Sequence, residues 1–232
     1  MKKTAIIIIS ILFVLFAVLG FRAAARLNSD SASQVTAEVS QLASSQKNYL
    51  LVQLTDLSGE SPQLVSVWGA FVLYGDSPHI VFVPLFPNSN AEISSRLTGA
   101  FKLDKDGNLS DRFISRIQRE FDIETHGYVV VDNSAMSSLS ESLFNESIQT
   151  IESTPLTDDE IQQVLSTGQQ FFESTCVKLK KQGVDIMLDK IDWLSLLPAH
   201  FSTSLSFESI KLSSKMLKST GSIISCEVLG DY

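Results

Sequence analysis

The stretch from Phe121 to Leu143 constrains the fold more than any other part of this chain. Tyr128-Val129-Val130-Val131 is a short apolar run dominated by β-branched residues, the pattern of a strand buried on both faces. Asp132 and Asn133 interrupt it. Ser134 is then placed to cap a helix whose apolar positions, Met136, Leu139 and Leu143, fall at i, i+3 and i+7. A strand feeding a helix across so short a break is a βα unit, and such units build layered α/β domains. An inner position in the sheet is expected for Val129 to Val131, because both sides of their pleat are apolar.

The segments before this unit read as strands. Tyr49 to Leu54 is the first, followed by a turn at Thr55 to Gly59. A second runs from Leu64 to Tyr74, and Gly75-Asp76-Ser77-Pro78 turns the chain into a third, His79 to Val83, which Pro84 and Pro87 are expected to end. Glu92 to Ala100 follows, then a polar turn from Lys102 to Asn108. Ser110 opens a helix to about Glu120 with Phe113, Ile114, Ile117 and Phe121 on its buried face.

Beyond Leu143, Thr157 and Glu160 form a capping box ahead of Ile161, Val164, Leu165, Phe172, Cys176 and Leu179. Lys178, Lys180 and Lys181 sit in the expected last turn, and Gly183 is expected to terminate it. A further helix is expected over Val184 to Leu197, ended by Pro198, and a final strand over Ile223 to Leu229. The fold class is therefore α/β: a central mixed sheet with helices on both faces, in three layers.

The amino terminus adds a separate element. Lys2 and Lys3 precede an apolar run from Thr4 to Phe21, nearly long enough to span a bilayer as a helix and longer than the core of a secretory signal. Ala23-Ala24-Ala25 offers a cleavage pattern, but Arg22 separates it from the apolar core, so an uncleaved anchor over residues 1–26 is the reading taken. Residues 27–48, rich in Ser, Ala and Gln, read as a stalk, and residues 49–232 as one domain outside the cytoplasm on a single-pass membrane protein. The formal net charge of −8 argues against nucleic acid as a partner. Cys176 and Cys226 lack metal-type spacing. Two buried thiols are the plainer reading, and a disulfide requires an oxidising compartment.

Several of these segments resemble the LytR-CpsA-Psr family of membrane-anchored bacterial cell-envelope proteins. The helix carrying Ile114, Ile117 and Phe121, followed by Asp122 to Asp132, is similar to the family's GIPIDYYVEVD segment. The order strand, loop, strand, hairpin, strand-Pro from Tyr49 to Pro84 also follows it, and Glu92 to Ala100 and Thr203 to Ile210 are similar to two further family segments. The resemblance touches most of Tyr49 to Leu229 and is poor between Asn145 and Phe171. It implies transfer of a glycopolymer from a polyprenyl-pyrophosphate carrier, with Mg²⁺ and guanidinium groups on the pyrophosphate.

The family's charged residues do not carry over. Its GxD acid falls on Asp56, with Leu54 in place of the glycine. The Arg and Asp of RSDT fall on Ser66 and Trp68, and the Arg and Asp of IPRD on Leu85 and Phe86. The six arginines are Arg22, Arg26, Arg96, Arg112, Arg116 and Arg119, so none is left for the long helix that carries an arginine pair in the family. Asp56 and Arg96 remain as the catalytic candidates, with Asp56 also the metal candidate, although a turn role suits Asp56 as well. Mg²⁺ is expected only if the family activity is retained. Trp68, Phe71, Phe82, Leu85 and Phe86 are core candidates that would also suit an apolar slot for an isoprenoid chain. Arg112, Arg116 and Arg119 form a helical stripe, read as a solvated face or as a contact to anionic lipid or wall polymer. His79, His126 and His200 share no ligand spacing and read as structural or exposed. Three readings follow: a domain that has lost catalysis and binds a polyprenyl lipid or a partner, an active transferase with a divergent site, and a structural envelope protein without a ligand.

Overall fold

The structure is a computed structural model that describes residues 46–151, 155–218 and 224–230. In chain order the elements are β1 (Gln46–Leu54), β2 (Leu64–Leu73), β3 (His79–Phe86), α1 (Ala91–Ala100), α2 (Asp111–Phe121), β4 (Gly127–Asp132), α3 (Asn133–Phe144), α4 (Asp158–Asp189), α5 (Trp193–Leu196), β5 (Phe201–Thr203), α6 (Phe207–Lys218) and β6 (Ser225–Val228). They form one mixed sheet of six strands in the order β5-β4-β1-β2-β3-β6. β1 pairs parallel with β4, and β3 parallel with β6; the other neighbours are antiparallel.

Alternation along β4 shows why there are three layers. Val130 packs with Leu50 and Val52 of β1 beneath Leu97 of α1 and Phe113 and Ile117 of α2. Its neighbour Val131 points to the other face, where it meets Ala135 and Met136 of α3 and Leu196 of α5. On that second face Phe172 of α4 stacks on Phe82 and tilts against Trp68. β4 lies between β1 and β5, so Val129 to Val131 occupy the expected inner strand.

Several boundaries differ from the sequence reading. β1 begins at Gln46, so the last three residues of the expected stalk are strand. The rest of the stalk and the anchor at 1–26 lie outside the described residues, among which no helix is long and apolar enough to cross a membrane. Asp132, not Ser134, caps α3: the Ala135 N–H donates to Asp132 Oδ1 at 2.9 Å. A carboxylate ending the strand reaches the first free N–H groups and opposes the positive end of the helix dipole.

Pro84 does not end β3, which continues to Phe86. Among the described residues β6 pairs with β3 as far as Phe82, whose carbonyl accepts the Leu229 N–H on the outer edge. Two residues on, Pro84 turns its nitrogen to that same edge, away from β2, so the ladder with β2 loses no donor.

Gly183 ends the first helix as expected: at φ 77° and ψ 169° it is not helical, so α4 is two helices joined at a kink there, the second running on to Asp189. The expected helix to Leu197 is interrupted there, because the Asp192 side chain accepts the Leu194 N–H and starts a separate turn, α5. The reading of two buried thiols is overturned. Cys176 of α4 and Cys226 of β6 form a disulfide with their Cα atoms 5.2 Å apart, well within the usual span.

Candidate functional site

β1, β3 and β4 all run in one direction, so their carboxyl ends meet the start of β2 at one end of the sheet. Open α/β sheets bind ligands outside such carboxyl ends. A cavity of about 310 Å³ lies here. Leu64, Phe86 and Pro87 line it from the sheet, Ser94, Ser95 and Thr98 from α1, and Leu156 and Ile161 from the approach to α4 and its first turn. None of its lining residues is charged. Its volume is at the lower limit for a small-molecule pocket, about 300 Å³.

The five apolar candidates do not share one slot. Leu85 and Phe86 belong to the core under α1 and α2. Phe71 is on the same face as Leu85, since the side-chain direction at Gly69 points at both. Trp68 and Phe82 occupy the opposite face against Phe172. Only Phe86 reaches the cavity. Where the resemblance implies a guanidinium at Ser66, the structure has a chain of neutral groups. Ser66 Oγ donates to Gln53 Oε1 (3.2 Å), Gln53 Nε2 to Asn133 Oδ1 (3.0 Å), and Asn133 Nδ2 to the Ile151 carbonyl (2.7 Å).

Asp56 accepts both the backbone N–H and the hydroxyl of Ser58 at 2.9 Å, an arrangement that closes the turn after β1. Arg96 is engaged on the outer surface of α1, paired with Glu92 and, at 3.3 Å, with Glu120 of α2. Arg116 meets the same Glu120 at 3.3 Å, so this carboxylate ties α1 to α2. The structure therefore gives Asp56 and Arg96 separate partners. Among the described residues no group of three or more His, Cys, Asp or Glu is arranged to hold a metal ion.

A second, polar concavity of about 650 Å³ separates residues 57–62 from residues 101–107. Asp104 lies in it, its carboxyl held below the ordinary range first by the Asn108 backbone N–H and then by the Asn108 side-chain amide. Glu60, Lys102 and Lys105 complete its charged lining, two acids against two bases.

Sequence reasoning missed one pair. Asp132 is 1% exposed, and its Oδ2 lies 2.7 Å from His200 Nδ1 and accepts the Leu57 N–H at 3.3 Å. Its other oxygen caps α3. A buried carboxylate that orients an imidazole is the arrangement general bases use. Here it also joins the loop after β1, the start of α3 and the segment entering β5. An acid at the end of a strand was the only sequence signal, and His200 lies too far along the chain for spacing to connect the two. Of the other histidines, His79 Nε2 lies 3.1 Å from Glu227 on the surface, and His126 Nδ1 accepts the Asn48 N–H at 3.2 Å.

No protein-family model and no curated protein matches the chain. Among solved structures, LytR-CpsA-Psr proteins resemble it. Protein gbs0355 from Streptococcus agalactiae is 11% identical, with 82% of this chain and 78% of that one covered at a TM-score of 0.47. TagV from Bacillus subtilis is 8% identical, with 81% and 85% covered at 0.43. TagT bound to LIIa-WTA is 10% identical, with 79% and 78% covered at 0.41. Identities and scores this low give a general likeness, not a correspondence of residues, so the site is argued from this chain's own atoms.

Proposed function

We propose that this chain is a membrane-anchored, extracytoplasmic LytR-CpsA-Psr-like domain of the cell envelope that acts by binding an apolar ligand or a partner and not by phosphoryl transfer. One observation carries the reading: the cavity between the start of β2 and the carboxyl end of β3 is lined without charge, and Phe86 stands there in place of an implied acid. A pyrophosphate needs cations and metal-binding carboxylates around it. Leu85, in place of the implied arginine, is only 3% exposed within the core. The guanidinium of Arg96 is occupied by two glutamates. The disulfide supports an oxidising compartment and hence export of the domain.

The test is incubation of the purified domain with a polyprenyl-pyrophosphate-linked saccharide and Mg²⁺, together with a binding measurement on a short-chain polyprenyl phosphate. The expected result is no phosphate release and no transfer. Turnover that disappears in Asp56→Ala or Arg96→Ala would establish the transferase reading instead.

A further inference from the structure

We propose that a third concavity, on the face of the sheet that carries α3 and α4, binds a single neutral pyranose sugar. It measures about 300 Å³ and lies between the end of α3, residues 146–149 and the first half of α4. At about 30 Å³ for each water it has room for about ten, which suits one sugar ring. It shares no residue with the uncharged cavity beside Phe86.

Gln163, Thr167 and Gln170 stand at i, i+4 and i+7, so α4 presents them along one side of the concavity. Gln149 faces them, and its side-chain carbonyl accepts a hydrogen bond from Gln163 Nε2 at 2.7 Å. That bond uses one donor and one acceptor of the pair, and the Gln170 amide has no hydrogen-bond partner among the described residues. Phe144 and Phe171 complete the wall, with ring centroids 5.4 Å apart and planes at 82°. Set edge to face, the two rings do not cover each other, and both are half-buried. The segment opposite α4 is held at both ends. Asn145, at φ 57°, ends α3 and turns the chain. Ile148 packs against the cluster of Val131, Met136 and Leu196, and the Ile151 carbonyl accepts from Asn133 Nδ2 at 2.7 Å.

The lining selects the class of ligand. Carboxamides and hydroxyls donate and accept at once, as sugar hydroxyls do, and the electron-rich face of an aromatic ring suits the C–H side of a pyranose. An anion would find no counter-charge. No lysine or arginine occurs between Arg119 and Lys178, and the one charged residue among the described lining is the exposed Glu146. An apolar ligand would strand the carboxamides without partners. A merely solvated helix face is ordinarily charged, as α4 itself becomes at Lys178, Lys180 and Lys181, whereas Ile161 to Phe172 carries no charge at all.

The test is saturation-transfer NMR on the full chain, held in a detergent without a sugar headgroup. The probes are methyl glucoside, methyl galactoside and N-acetylglucosamine, with glucuronate and a hexose phosphate as charged counterparts. Transfer to the ring C–H protons of a neutral sugar is expected, at millimolar affinity. Gln163→Ala and Gln170→Ala should each weaken binding about fivefold. Thr167→Phe, which fills the concavity from α4, should abolish it. Gln169→Ala removes an amide that bonds Glu173 outside the concavity and should leave binding unchanged. The two glutamine variants keep the test open if Thr167→Phe disturbs the packing. No transfer to any of the neutral sugars would overturn the proposal. So would binding that survives both glutamine variants and Thr167→Phe, or binding led by the charged sugars.

Discussion

Leu85→Arg would put back the guanidinium that the family resemblance implies at the end of β3, and it should unfold the domain. Leu85 is 3% exposed and packs in the cluster that holds Leu97, Phe113 and Ile117. Removing a buried leucine costs about 2–5 kcal/mol. Leaving a buried charge without a partner costs about a further 3–5 kcal/mol. Together these approach the whole stability of a typical domain, about 5–15 kcal/mol. Leu85→Met keeps the volume and should cost under about 1.5 kcal/mol. Phe86→Asp gives an intermediate case, because its side chain opens on the cavity and an acid there reaches water. Urea denaturation followed by circular dichroism measures all three. The expected order of stability is natural chain, Leu85→Met, Phe86→Asp, Leu85→Arg, with the last lacking a cooperative transition. A Leu85→Arg protein that unfolds within about 1 kcal/mol of the natural chain would show that this position can turn toward solvent. Burial of Leu85 in the core under α1 and α2 would then not bar a charge at the end of β3.

Two further outcomes are expected. Reducing the Cys176–Cys226 bond releases a crosslink across 50 residues and should lower stability by about 4 kcal/mol, read as a drop in denaturation midpoint on adding a thiol reductant; an unchanged midpoint would refute it. A methyl group at Gly168 would lie 2.7–2.9 Å from three atoms of the Trp68 ring, so Gly168→Ala should cost about 1–3 kcal/mol despite alanine's better helix propensity. Most of that cost should vanish in a Trp68→Phe background, where the smaller ring clears the methyl and the buried indole N–H, without an acceptor among the described residues, is gone.

The layered fold was legible because its signals are local. The β-branched run at Val129 to Val131, the capping box at Thr157 and Glu160, and the helix face of Phe113 and Ile117 each report burial or a helix end within a few residues. Boundaries failed where a distant partner decided them. Whether Pro84 could stay in β3 depended on which neighbour its nitrogen faced, and β6, on that edge, lies more than a hundred residues on. The disulfide likewise depended on α4 passing beside β6. The site was legible only in outline. The absence of charge at Ser66, Leu85 and Phe86 could be read from their identities, but the division of the apolar candidates between two faces depended on the pleat. The bond between Asp132 and His200 needed β5 to lie beside β4, which no pattern in the sequence announces.

The two short strands at the ends of the sheet bear on how copies of this domain behave when crowded on one surface. β5 has three residues and β6 four, so neither offers a stranger a long row of unpaired backbone groups. A neighbouring chain pairing with either of these end strands would gain only three or four residues of ladder, a contact too short to persist, so copies crowded on one surface stay separate at these edges.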